Sequence, residues 1–313
     1  MSHEFEKHIK MLEARVEDLK KNCGDDREIL YLIDKLERKI TKKLHKIYTK
    51  LTPWQKVNVA RDINRPQTMD YINQLIQDPV FLSGDRVSGN DTAIICGFGK
   101  LDGMAVAFLG HNKGHSFKER EMHNYGMPHP EGYRKAIRLF DLADDFALPV
   151  ISFVDTPGAY PGIRAEAGGQ ARTIALCIQR GLNLSVPYIS IIIGEGGSGG
   201  ALALATANTI FMLEHSIYSV LSPEACAAIL WDDASKIEES ANSLKLTAAD
   251  LFKMKVIDKI ITEPSGGAHR NHQMIINTVG AAINQELTTL LTISDLKEHR
   301  YIKFNNMGTI HNI

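Results

Sequence analysis

The run Tyr188-Ile189-Ser190-Ile191-Ile192-Ile193 passes directly into Gly194-Glu195-Gly196-Gly197-Ser198-Gly199-Gly200-Ala201. A short, β-branched, almost wholly apolar stretch of this kind reads as a strand buried on both faces, and such strands belong to parallel sheets covered by helices. A second apolar run, Val150 to Val154, leads in the same way into Asp155-Thr156-Pro157-Gly158-Ala159-Tyr160-Pro161-Gly162. Open α/β sheets hold their ligands beyond the carboxyl ends of the strands, so both glycine-rich segments stand where a site is expected.

The rest of the chain supports an α/β fold. Ala93 to Cys96 and Met104 to Phe108 flank Asp102-Gly103, whose two positions tolerate positive φ, and this predicts an antiparallel hairpin. Helices are expected from about Glu131 to Ala147, from Gly169 to Leu182, briefly from Gly199, and between Pro223 and Lys255. Further strands are expected at Ile210 to Leu213, near Ser219-Val220 and at Val256 to Ile261; strand and helix alternating in this way predict a mostly parallel sheet. Ahead of this core, apolar residues from Phe5 to Leu19 and from Ile29 to Leu51 recur every three or four positions, broken at Asn22, Gly24 and Asp25-Asp26. They predict a helical hairpin that serves packing or dimerisation. Residues 53–84 read as a connector with one short helix, and the tail beyond Gly266 as helical, with Met274, Ile275, Val279 and Ile283 on one face. The expected division is 1–83 for hairpin and connector, 84–265 for the core and 266–313 for the tail.

Composition removes several function classes. Lys plus Arg number 36 against 37 for Asp plus Glu, so the overall field offers no attraction to nucleic acid or an anionic membrane. Cys23, Cys96, Cys177 and Cys226 form no close pair, which fits reduced thiols and neither a disulfide framework nor a metal site. The first ten residues have mixed charges where a secretory signal would be basic and then apolar, and the longest apolar runs are broken well short of a membrane span. A cytoplasmic protein is expected.

The second glycine segment admits three readings. Gly194 to Gly199 matches G-x-G-x-x-G, and Glu214 lies about twenty residues on, where a dinucleotide-binding protein would have its ribose-binding acid. Gly196 to Gly200 also satisfies G-x-S-x-G, with Ser198 as nucleophile and twelve histidines from which to draw a base. In the third reading the N–H groups of Gly199 and Gly200 form an oxyanion hole, with Gly196 and Gly197 keeping the backbone open to a ligand. A Walker phosphate loop is excluded because Ala201 stands where its lysine belongs. A non-catalytic scaffold organised by the helical hairpin is an alternative of a different class.

Several strings together resemble a known family. Val154 to Gly162, Gly194 to Ala203, Tyr218 to Glu224, and Glu263-Pro264 with Gly266 to Arg270 look like the alpha subunits of acetyl-CoA carboxylase carboxyltransferase. His111 with Lys113-Gly114, Lys118-Glu119, Gly126-Met127-Pro128 and Pro130 to Lys135 follow in the family's order, and the likeness covers nearly the whole chain. Ala225, where glycine is expected, and the filling between Gly114 and Lys118 depart from the pattern.

The resemblance implies a crotonase-like fold of successive ββα units, and carboxyl transfer from carboxybiotin to acetyl-CoA to give malonyl-CoA, the first committed step of fatty acid biosynthesis. It implies a zinc-ribbon beta subunit in an alpha2beta2 heterotetramer, biotin attached to a separate biotin carboxyl carrier protein, a biotin carboxylase, and no metal in this chain. Gly199 and Gly200 would hold the ureido oxygen of biotin while the beta subunit holds the thioester enolate, and the ureido nitrogen or the departing carboxylate would take the methyl proton. Gly158, Ala159, Gly196 and Gly197 would bind substrate, Gly158 and Ala159 either as a pocket wall and further donor or as a rigid turn, with Asp155 capping it. Lys113, Lys118 and Arg164 are candidates for CoA phosphates, Lys113 foremost. His111, His269, Trp54 and Trp231 read as structural.

Overall fold

Residues 4–22, 24 and 26–307 are described by the computed structural model. The helical hairpin is present as α1 (Lys7–Asn22) and α2 (Arg27–Tyr48). Asp26 caps α2 by accepting from the N–H groups of Glu28 and Ile29, which have no carbonyl to bond within the helix. Between the helices lie Ile9, Val16, Ile33, Leu36, Ile40 and Leu44, the stripe their spacing predicts. Asp25, part of the expected break, and Cys23 lie outside the described residues.

The reading of 53–84 as a connector with one helix is corrected. It contains α3 (Pro53–Ala60), α4 (Thr68–Leu75) and β1 (Gln77–Phe81). Thr52 and Gln55 close a capping box around the start of α3, with Pro53 in the first turn, where its missing N–H costs nothing. All five residues of β1 are exposed, so no alternation betrayed it as a strand.

β2 (Ile94–Leu101) and β3 (Met104–His111) form the expected hairpin, with Asp102 at φ 46° and Gly103 at φ 84°. Then follow α5 (Phe117–Met122), α6 (Pro130–Asp145), β4 (Val150–Thr156), α7 (Ile163–Ala167), α8 (Gln170–Leu182), β5 (Tyr188–Gly197) and α9 (Ser198–Leu202). The remainder is β6 (Thr209–Leu213), β7 (Ile217–Ser219), α10 (Pro223–Trp231), α11 (Ile237–Ser243), α12 (Ala248–Lys253), β8 (Lys259–Ile261), α13 (His272–Leu290) and α14 (Leu296–Asn305). β7 therefore starts two residues before the expected Ser219-Val220 and includes Ser219, and β8 starts three residues later than expected.

The sheet order is β1-β2-β3-β4-β5-β6-β8, antiparallel through β3 and parallel from β3 onward, with β7 pairing in parallel with the end of β5. The segments β2-β3-α6 and β6-β7-α10 are ββα units, and β4 and β5 each lead into helices. Every residue of β4 and β5 is buried. On one face Val150, Val154, Tyr188 and Ile192 pack with Tyr133, Leu139 and Phe140 of α6 and Cys177 of α8. On the other, Phe153, Ile189, Ile191 and Ile193 pack with Tyr71 and Ile72 of α4 and Ile275, Val279 and Ile283 of α13. The sheet and its cover thus draw on residues outside 84–265, and Met274, expected on the packed face of α13, is 52% exposed.

Arg270, which precedes α13, reaches Glu6 at 3.0 Å and also pairs with Glu13, while the Tyr48 hydroxyl donates to Glu6. This polar cluster ties the hairpin to the segment that leads into α13. Cys96, Cys177 and Cys226 are buried and unpaired.

Candidate active site

The second glycine segment is mostly strand. β5 continues through Gly197, with Glu195, Gly196 and Gly197 laddered to Ile217, Tyr218 and Ser219 of β7, so Gly196 and Gly197 are buried and the expected loop shrinks to a turn at Ser198. Ser198 takes φ 51° and the chain enters α9 at once. A side-chain carbon on Gly197 would collide with the Pro157 carbonyl, and one on Gly200 would lie 2.7 Å from the Ala159 nitrogen. The two glycine segments therefore touch, as they can only without side chains at these positions.

Behind the turn, α9 is anchored through one carbonyl. The hydroxyls of Ser152, Tyr188 and Ser190 donate to the Leu204 oxygen at 2.6, 2.7 and 2.9 Å. Gly199 and Gly200 lie in the first turn of α9, where N–H groups have no helical partner, and neither donates to any other described residue. Gly199 is half-buried and lines a cavity of about 310 Å³, with Ser198, Leu202, Tyr218, Val220 and Leu251. Gly200 is buried directly behind it.

Gly158 sits in a locked turn: the Thr156 hydroxyl accepts from its N–H at 3.0 Å and donates to its carbonyl at 2.8 Å. That N–H is already used, whereas the Ala159 N–H, against Gly200, has no partner among the described residues. Asp155 does not cap this turn. It accepts from the Glu195 N–H at 2.9 Å and from the Lys113 ammonium at 2.7 Å, joining the ends of β4 and β5. Lys113 is thus buried in an internal ion pair and points away from solvent. Lys118 and Arg164 are exposed. His111 is fully buried, accepts from the Asp155 N–H at 3.3 Å, and is held down to about 4 by that burial, which outweighs the nearby Asp155 charge. Trp54 packs beside Val57 and Ile217, and Trp231 is partly exposed at the end of α10.

Sequence reasoning passed over the charges beside the glycine turn. Glu195, buried in β5, receives Arg61 at 2.8 Å, and the same guanidinium reaches Glu224 of α10 at 2.5 Å. The available signal was Glu195 itself: an acid inside a run of glycines at the end of a buried strand requires a cation close by.

Two of the three readings lose their support. No histidine hydrogen-bonds Ser198 among the described residues, which leaves the serine without a base. The only helix between β5 and β6 is the five-residue α9, too short for the crossover helix of a dinucleotide fold, and the Glu214 carboxylate accepts from the Glu263 N–H at 3.1 Å. What remains is a pair of main-chain donors without a partner among the described residues, Gly199 lining the cavity and Gly200 buried behind it.

A family model described as acetyl co-enzyme A carboxylase carboxyltransferase-like matches residues 2–308. The chain is similar to the acetyl-coenzyme A carboxylase carboxyl transferase subunit alpha of Paramagnetospirillum magneticum, 50% identical over 308 residues and covering 97% of each chain. It is 49% identical over 307 residues to the subunit of that name from Geobacter metallireducens, covering 97% of this chain and 96% of the other. Among solved structures, transcarboxylase 12S superposes with a TM-score of 0.57 at 20% identity over 73% of this chain, which spans 44% of that longer one. A Pseudomonas malonate decarboxylase hetero-tetramer in complex with coenzyme A gives a TM-score of 0.57 at 18% identity, over 70% of this chain and 88% of that one. These structural likenesses establish the shared crotonase-like fold. The match across the whole length, with half of all residues identical, places this chain in the family of acetyl-CoA carboxylase carboxyltransferase alpha subunits.

Proposed function

We propose that this chain is the alpha half of a split carboxyltransferase that moves a carboxyl group from carboxybiotin to acetyl-CoA, giving malonyl-CoA for fatty acid synthesis. The carrying observation is the pair of N–H groups at Gly199 and Gly200, which have no internal partner and sit where Gly199 opens onto the cavity. A side chain at Gly200 would meet the Ala159 nitrogen at 2.7 Å, and the cavity beside Gly199 has an apolar wall of Leu202, Val220 and Leu251 against which a ring can lie.

Carboxybiotin, attached to a carrier protein, supplies the carboxyl group and a ureido oxygen that gains negative charge as that group departs. Gly199 and Gly200 donate their N–H groups to this oxygen, with the Ala159 N–H close behind Gly200 as a further donor. Fixed donors of this kind need no reorganisation, and each is worth about 3 kcal/mol of barrier in a dry site. Leu202, Val220 and Leu251 give the cavity an apolar wall, and a partner that covers the exposed Val220 would exclude water and strengthen those hydrogen bonds. Asp155 and Glu195 are engaged with Lys113 and Arg61, so these carboxylates serve the geometry of the cradle and not proton transfer.

The second oxyanion site, for acetyl-CoA, belongs to a zinc-ribbon beta subunit in an alpha2beta2 assembly, served by a biotin carboxyl carrier protein and a biotin carboxylase in the cytoplasm. In this reading the transferase core centres on residues 84–265 and takes β1 and α4 from 1–83 and α13 from 266–313. Val220 at the cavity and Ile229 and Leu230 on α10 are 70, 75 and 63% exposed, an apolar edge of the kind a second polypeptide covers. No described helix is long and apolar enough to cross a membrane.

Mixing the purified chain with its beta subunit and assaying malonyl-CoA formation tests the proposal. The chain alone is expected to be nearly inactive and the mixture active; full activity without the partner contradicts a divided site.

A further inference from the structure

Arg61 follows α3 in sequence, yet its guanidinium is shared between two elements of the site. Its Nε and Nη2 lie 2.8 Å from Glu195 Oε1, and its Nη1 and Nη2 lie 2.5 and 3.3 Å from the two Glu224 oxygens. Glu195 precedes the turn that carries Gly199 and Gly200, and Glu224 follows the Tyr218–Val220 wall of the cavity. Between these two carboxylates β7 pairs with β5 over three residues only, a short tether for a cavity wall. On the far side, Glu195 Oε2 lies 3.7 Å from the Lys113 ammonium, which continues to Asp155.

We propose that Arg61 is a positioning residue for carboxyl transfer: by holding Glu195 and Glu224 in one guanidinium, it fixes the distance between the Gly199-Gly200 donors and the Tyr218–Val220 wall. This rests on the reading of that turn as the oxyanion cradle. Arginine is required because its planar fork can serve two carboxylates at once, whereas a lysine presents a single point charge. The Arg61 side chain is 18% exposed and that of Glu195 10%, so the inner pair is largely shielded from salt and solvent. Glu224, at 42%, is the outer and adjustable end.

The test uses the reconstituted complex with the beta subunit and three variants, Arg61→Lys, Glu224→Gln and the two combined. Glu224→Gln leaves the Arg61–Glu195 pair intact and buries no unpaired charge, so the fold is preserved. Each single variant is expected to lower kcat by about tenfold or more, since a displacement near 1 Å can cost about a hundredfold. The KM for acetyl-CoA, bound mainly by the partner, is expected to stay within about twofold of the parent's. The combined variant is expected to be no slower than Arg61→Lys alone, because both changes break one link. In the isolated chain, amides of residues 217–224 are expected to exchange with deuterium faster in Glu224→Gln than in the parent.

Parental kcat in either single variant overturns the proposal, as do losses that multiply in the combined variant or unchanged exchange over 217–224. Gly199→Val is the control for the cradle. If it is inactive while the Arg61 and Glu224 variants turn over normally, the positioning role alone falls; if it turns over normally, the cradle and the positioning role fall together.

Discussion

At the residue scale, the glycines of the proposed cradle separate into those the fold requires and one that only the proposed chemistry requires. A side chain on Gly200 would press on the Ala159 nitrogen, and one on Gly197 on the Pro157 carbonyl, so substitutions there disturb packing as well as turnover. At Gly199 the nearest neighbour to an added carbon is Ile174 at 3.4 Å, an ordinary contact. Gly199→Val should therefore keep a melting temperature close to the parent's while carboxyl transfer falls by about a hundredfold or more, because the added side chain fills the cavity and holds the substrate oxygen away from the N–H donors. Ser198 predicts the opposite. Its hydroxyl has no base, so Ser198→Ala should retain turnover within about threefold. Ser198→Gly should stabilise the chain by up to about 1 kcal/mol, since φ 51° is strained for any residue with a side chain. Side-by-side rates and melts of these variants check the ranking, and an inactive Ser198→Ala with an active Gly199→Val would return the site to a serine nucleophile.

At the scale of elements, α9 is too short to hold itself in place and depends on the Leu204 carbonyl, which three hydroxyls from β4 and β5 grip. Tyr188→Phe leaves two of those donors and should cost about 1 kcal/mol; removing all three leaves a buried carbonyl unsatisfied and should cost more than the sum of the single losses. Denaturant melts of the single and triple variants measure that excess, and strict additivity would mean that the hydroxyls act independently. None of this could be read from the sequence, because Ser152 and Ser190 sit in otherwise apolar strands and reveal no partner. What was legible was local: the period of α2, the positive φ of Asp102-Gly103, and the apolar runs of β4 and β5. β1 was not, since it is an exposed edge carrying Pro79, and its place in the sheet comes from pairing with Gly97 and Lys100. The close approach of the two glycine segments was legible because glycine at a strand end is itself the signal. Arg61 was hidden by a separation of 134 residues from Glu195 and 163 from Glu224.

At the scale of the whole molecule, stability is tied to pH through groups buried where the layers meet. Glu263 accepts from Arg65 at 2.8 Å and from the N–H groups of His215 and Ala268 at 2.9 and 2.6 Å, linking the end of the sheet to the start of α13. Burial alone would raise its pKa, but the Arg65 charge and these hydrogen bonds outweigh it and hold the carboxyl down to about 2. His111 and His269 are held down to about 4 by burial, against an ordinary value of 6.5. For the histidines, the unfolded chain takes a proton that the folded chain refuses, so their contribution is whole above about 6.5 and is lost as pH falls towards 4. For Glu263, the folded form holds the carboxylate more firmly, so its contribution is present above the ordinary 4.5 and is lost as pH falls towards 2. Stability should accordingly decline in two overlapping stages from neutral pH downward. Urea midpoints at a series of pH values check this. His269→Gln should shrink the upper stage, to which His111 still contributes, and leave the lower one unchanged; a midpoint that stayed constant from pH 7 to 5 would show that neither histidine is kept neutral by the fold.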